Sequence, residues 1–254
     1  MSSAKQNPVF SRWKCQCAYH GGHFFGWQTQ KNHRSVQTTI QEVLEGIVRH
    51  PVVLHGSSRT DTGVHARGFV FHFDSNWKHP GERLLAALRS RLPGEVQVTS
   101  AKKVSMNFHA RFSAKRKRYI YYLWEGHTDP FQRPFMFGVP VRLDTGAMQK
   151  AANHLVGRKD FRAFSAEPGH PQPSTVRNLM RLDVLRKGRE VRIIAEADGF
   201  LYKMVRSLVG GLIKVGRGDL TPKDIKRIQI SRQRTSQIPS ARAHGLFLDK
   251  VFYR

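Results

Sequence analysis

The apolar positions of the chain change period repeatedly, and each change marks an element. Trp13, Cys15, Cys17 and Tyr19 alternate with Lys14, Gln16 and Ala18, the repeat of two that puts one face of a strand in a core. From Ser35 the apolar residues fall at Val36, Ile40, Val43, Leu44 and Ile47, a helical spacing with Ser35 as N-cap and Pro51 beyond its end. The runs Pro51 to Leu54 and Phe69 to Phe73 read as strands on either side of a polar loop, Gly56 to Gly68. Glu82 to Arg91 predicts a second helix stopped by Pro93 and Gly94, and Glu95 to Val104 a further strand.

The remainder repeats this style. Strands are expected over Tyr119 to Trp124, Leu179 to Leu185, Val191 to Ala197 and Leu246 to Tyr253. Asp144 can cap a helix carrying Met148, Ala151, Ala152 and Leu155, and Leu201, Met204, Val205, Leu208, Leu212 and Val215 form an apolar helical stripe ending at Gly216. Thr221, Pro222 and Asp224 combine a cap, a proline at the first helical position and an early acid, the start of one more helix. Ala166 to Ser174, rich in proline, reads as a surface loop. Short connections between alternating strands and helices predict an α+β chain of two similar halves, residues 1–107 and 108–254, joined near Asn107.

Charge narrows the partners. Among 254 residues, 43 Lys and Arg face 18 Asp and Glu, a formal charge of +25, which favours a polyanion and above all nucleic acid. No segment has the roughly 18 to 20 consecutive apolar residues of a membrane span, and the cations are dispersed, so a membrane surface is not the expected partner. Cys15 and Cys17, two apart on one strand, are too close to bridge comfortably, which fits a reducing compartment. Residues 1–41 hold no Asp or Glu, a trait of mitochondrial leaders, but the strand at Trp13 begins too early for a removable segment. The expected location is the cytoplasm, with the mitochondrial matrix as the alternative.

Candidate chemistry concentrates in a few stretches. The tripeptide Asp-Thr-Gly, known from aspartic proteases, occurs at Asp61 and at Asp144. A protease dyad needs two carboxylates sharing one proton, whereas Asp144 reads as a helix cap and Asp61 stands two residues from Arg59. Asp61 is either an ordinary turn or salt-bridge aspartate, or a nucleophile or general base held by Arg59 among the hydroxyls of Ser57, Ser58, Thr60 and Thr62. Lys115 to Arg118, followed by Tyr119, Tyr121 and Tyr122, is either a solvated strand edge or a phosphate rim beside an aromatic platform. Arg206, inside the apolar stripe, is either a snorkelling side chain or an inward partner for a carboxylate. The 13 histidines show no spacing typical of a zinc site.

Several blocks, in order, resemble the tRNA pseudouridine synthase A family: Phe25 to Gln28 with Ser35 to Gln37, Arg59 to Ala66, Phe108 to Ala114 with Arg118 and Tyr119, Met204 to Arg206, and His244 to Leu248. The resemblance spans about Tyr19 to Tyr253. It implies two related halves sharing a mixed, largely antiparallel sheet with a basic cleft between them. It also implies a cofactor-free isomerase that converts uridine to pseudouridine at positions 38–40 of the tRNA anticodon arm, and a homodimer whose subunits share one tRNA. Asp61 would be the catalytic aspartate, Arg59 would hold it and fill the place of the flipped base, and Arg206 would pair with it from the other half. Tyr119 would stack on the uracil, Leu246 would line the base pocket, and Phe108, His109, Ala110, Arg111 and Phe112 would contact RNA. His20, Ser58 and Thr62 stand where the family usually has an acid, Gly and Ala.

Overall fold

The computed structural model describes residues 9–167, 169 and 173–254. Helix starts follow their caps. The Ser35 side chain accepts the Thr38 N–H at the head of α1 (Val36–Val48), Asp144 does the same for Ala147 in α3 (Thr145–Asn153), and Thr221 with Asp224 closes a reciprocal capping box on α5 (Pro222–Ser231). α2 spans Gly81–Arg91. The apolar stripe is α4 (Met204–Gly216), so Leu201 precedes the helix.

The strands are β1 (Ser11–Tyr19), β2 (His55–Gly56), β3 (His65–Ser75), β4 (Val96–Val104), β5 (Arg116–Glu125), β6 (Phe137–Val139), β7 (Gly157–Asp160), β8 (Val176–Lys187), β9 (Glu190–Ala197) and β10 (Leu246–Phe252). They form one sheet in the order β4-β1-β3-β10-β5-β9-β8-β7, with β2 on β3 and β6 on β5. All pairings are antiparallel except β3 with β10 and β5 with β6. The result is an α+β fold on a mixed, largely antiparallel sheet.

Some expectations change. Pro51 to Leu54 belongs to no strand; only His55 and Gly56 join β3. Val52 and Leu54 are nonetheless buried, which produced the strand-like pattern. β6 and β7 were not foreseen. Of the loop from Ala166 to Ser174, residues 168 and 170–172 lie outside the described residues. No described helix is long and apolar enough to cross a membrane, and Cys15 and Cys17 are free thiols buried in the core.

The position of the cleft follows from the topology. β1, β3 and β4 come from the chain before residue 107, and β5 to β10 from after it. They meet where β3 runs parallel to β10, through Phe247 opposite His65 and Leu248 opposite Ala66. Because these strands are parallel, the loop entering β3 and the start of β10 lie at the same end of the sheet. That loop carries Asp61, and β10 starts with Leu246.

Candidate active site

The Asp61 loop is fixed on both sides. Phe69, Phe71 and Phe73 of β3 are fully buried, and Trp27 stacks on Phe69 with centroids 3.9 Å apart. The Trp27 N–H donates to the Thr60 carbonyl at 3.2 Å, while the Thr60 and Tyr19 hydroxyls bond at 2.8 Å. Gly26, with φ of +83°, lies so near the loop that an added Cβ would stand 2.6 Å from the Thr60 carbonyl oxygen, so only glycine lets the two backbones approach. Past the aspartate, Val64 N–H returns to the Asp61 carbonyl at 3.1 Å. The carboxylate is thus held by a rigid sheet through a chain of contacts, as a reacting group requires.

Its partner comes from α4. Arg206 donates from Nη1 to Asp61 Oδ2 at 2.9 Å and from Nε to the Ala241 carbonyl at 2.7 Å. The two side chains are 15% and 18% exposed, so Arg206 turns inward and does not snorkel. The fork binds one carboxylate oxygen and leaves Oδ1 without a hydrogen bond among the described residues. Asp61, Arg206, Arg59, Tyr119 and Leu246 all line one cleft of about 950 Å³. Tyr119 lies in mid-sheet between Ala195 of β9 and Leu248 of β10, with Phe200 edge-on to its ring at 5.1 Å.

A family model described as tRNA pseudouridine synthase matches residues 17–113 and 151–254. The chain belongs to the tRNA pseudouridine synthase family. It is 36% identical to tRNA pseudouridine synthase A 2 of Clostridium perfringens over 241 residues, 94% of this chain and 98% of that one. It is 39% identical to tRNA pseudouridine synthase A of Exiguobacterium over 95% of this chain and 98% of that one, and 41% identical to that of Thermoanaerobacter strain X514 over 92% and 96%. Of the residues facing the cleft, Tyr119 and Lys117 fall between the two segments matched by the tRNA pseudouridine synthase model.

Several details of this family member differ from the sequence reading. Arg59 is exposed and makes no hydrogen bond to Asp61 among the described residues; the carboxylate is held by Arg206 instead. Of the other basic residues near Asp61 in sequence, Arg67 donates to the Tyr122 hydroxyl. His65 is buried, accepting from Gly21 N–H and lying 3.0 Å from the Pro134 carbonyl. Tyr119 is buried. Burial pushes its hydroxyl up to about 12, helped by the Asp61 charge, while the nearby Ser58 hydroxyl, which has no hydrogen-bond partner of good geometry, pulls the other way. Arg118 does not reach it, because neighbouring strand residues face opposite sides and Arg118 binds Glu196 at 2.6 Å.

The cation run divides for the same reason. Arg116 and Arg118 share Glu196, on the face of β5 opposite Tyr119. Lys117 turns into the cleft and donates to the Ser57 carbonyl at 2.5 Å. In the Phe108 to Phe112 stretch only Arg111 lines the cleft. Phe112 is 76% exposed, whereas Ala110 is fully buried, which leaves its side chain a packing role. Phe108 packs on Tyr253.

His55, His72 and His109 are the one group of metal-ligand side chains found among the described residues, with ligand atoms within 4.8 Å of one another. Sequence spacing missed it because β2, β3 and the loop before β5 are far apart in the chain. Nδ1 of His72 accepts Ala110 N–H, and Nδ1 of His109 accepts from Arg111 and Phe112. In a neutral ring that puts the proton on Nε2, so these two histidines fit fastening of the loop better than metal ligation. Phe200, Lys203 and Arg177 also line the cleft and were not singled out from sequence, where nothing distinguishes them from other aromatic and basic residues.

Proposed function

We propose that this chain isomerises uridine to pseudouridine in the anticodon arm of tRNA, at positions 38–40, with Asp61 as the catalytic residue. The observation that carries the reading is the Asp61 carboxylate, gripped on one oxygen by Arg206 and bare on the other, in a cleft shared with Tyr119 and Leu246 in a member of this family. The free oxygen attacks the uridine or its ribose, and the bond between ribose and base nitrogen opens. The detached uracil turns and rejoins the ribose through carbon, the bond to the Asp61 oxygen breaks and frees the carboxylate, that carbon gives up its proton and the nitrogen gains one. No heavy atom is lost, and the residues need no cofactor for this sequence. Tyr119 stacks on the base and Leu246 lines its pocket, and a flipped base leaves a gap in the RNA that the exposed Arg59 is long enough to fill. Arg111 and Phe112 contact RNA, while Phe108, His109 and Ala110 hold their loop in place.

On this reading the cleft lies between two halves, residues 1–107 and 108–254, and the enzyme works as a cytoplasmic homodimer. The test of the target is mapping of pseudouridine in tRNA from cells lacking the gene. Loss confined to positions 38–40, restored by the gene, is the expected result; an unchanged map would refute the target.

A further inference from the structure

Some cations of the molecule are paired with acids and others are not. Arg116 and Arg118 share Glu196, with Asp249 adding to Arg118; Arg186 has Glu125, and Arg206 has Asp61. Arg111, Lys117 and Arg177 line the same cleft as Asp61, and none of them forms an ion pair with a carboxylate among the described residues. Asp198 acts on Arg177 only from beyond ion-pair distance. These cations crowd one another. Burial, then the charges of Arg111 and Arg177, push Lys117 down to about 8, and burial with Arg111 also lowers Arg177 despite Asp198.

Gathering unpaired like charges in a partly buried wall destabilises the free protein, and an anion placed between them relieves it. Donors remain for one. Lys117 spends a single N–H on Ser57, and Arg177 spends Nη1 on the Ser174 and Val176 carbonyls, leaving Nη2 free of hydrogen bonds among the described residues. Lys117 and Tyr119 share a face of β5, roughly 7 Å apart along the strand, so a group on Lys117 is adjacent to a base on Tyr119.

We propose that Arg111, Lys117 and Arg177 form one phosphate subsite, which holds the RNA backbone phosphate beside the nucleotide whose base lies against Tyr119. This rests on the reading of the cleft as an RNA site. Anion binding favours charged Lys117, so affinity for tRNA falls as pH rises through about 8. The other ionisable groups lining the cleft are Arg59, Asp61, Tyr119, Tyr202, Lys203 and Arg206. Of these Tyr119, at about 12, stays neutral across the range, and the RNA phosphates keep their charge.

The experiment is equilibrium binding of tRNA to the full chain between pH 7 and 9 at fixed ionic strength, with a salt titration at pH 7. Wild type is expected to lose about five- to tenfold in affinity over this range, while Lys117→Arg, charged throughout, binds equally at both ends. Lys117→Met binds more weakly at pH 7, shows no pH dependence, and has a log-log salt slope shallower by about 1. Because it also loses the bond to Ser57, Arg177→Gln serves as a second variant with the same expected change in slope. A flat wild-type profile, or unchanged slopes in both variants, would overturn the subsite. Pseudouridine formation is scored separately: product with flat binding defeats only the subsite, and the expected binding without product defeats only the isomerase.

Discussion

Tyr119 and Lys117 sit two residues apart on one face of β5, and burial moves them in opposite senses, the hydroxyl up to about 12 and the ammonium down to about 8. One rule covers both, since in each case the charged form loses its hydration. Arg118, adjacent to Tyr119 in sequence, does not offset this, because neighbouring strand residues face opposite sides. The hydroxyl therefore keeps its proton at neutral pH, so it can take the proton leaving the base carbon only while passing its own to a neighbour on the Asp61 side. Tyr119→Phe keeps the ring, hence the stacking worth roughly 1–3 kcal/mol, but has no proton to pass. It is expected to bind tRNA within a few-fold of wild type and to lose most of its single-turnover rate. A near-normal rate would leave the ring as the residue's whole contribution.

At the scale of elements, what was legible is what local chemistry fixes. Ser35, Asp144 and Thr221 announced α1, α3 and α5 because caps act within three residues of themselves. Alternation revealed β1 because one face of it is buried, and β10 showed as a short apolar run because Leu246, Phe247 and Leu248 are buried in succession. β6 and β7, of 3 and 4 residues, are too short to show a period, and Pro51 to Leu54 shows a period without a partner. The residues gathered around Asp61 were legible only through their resemblance to a family, since the parallel contact of β3 with β10 and the inward turn of Arg206 are long-range outcomes. That turn depends on close packing. An added Cβ at Gly210 of α4 would stand 1.9 Å from the Pro239 carbonyl oxygen, in the segment whose Ala241 carbonyl braces Arg206. Gly210→Ala is therefore expected to destabilise the fold by about 1–3 kcal/mol in chemical denaturation and, in the fraction still folded, to lower the rate by displacing Arg206. Unchanged stability and rate would show that the segment yields without effect.

For the whole molecule, a charge of +25 supplies long-range attraction to RNA, while placement decides what the charge does locally. Arg118, Arg186 and Arg206 are given acids, whereas Arg111, Lys117 and Arg177 of the cleft wall have no ion pair with a carboxylate among the described residues. A homodimer would show a light-scattering mass of twice 29.1 kDa; a mass of one chain would mean that each cleft works alone. The central claim is that Asp61 is the reacting group of an isomerase and not a brace for the fold. Asp61→Asn preserves shape and much of the hydrogen bonding but removes the anionic nucleophile. The most direct measurement is tritium release from tRNA carrying uridine tritiated at the base carbon that becomes bonded to ribose, which loses its label when that bond forms. Wild type should release label from the target uridines and Asp61→Asn should release none while retaining tRNA affinity within a few-fold; release by pure Asp61→Asn protein would contradict the account.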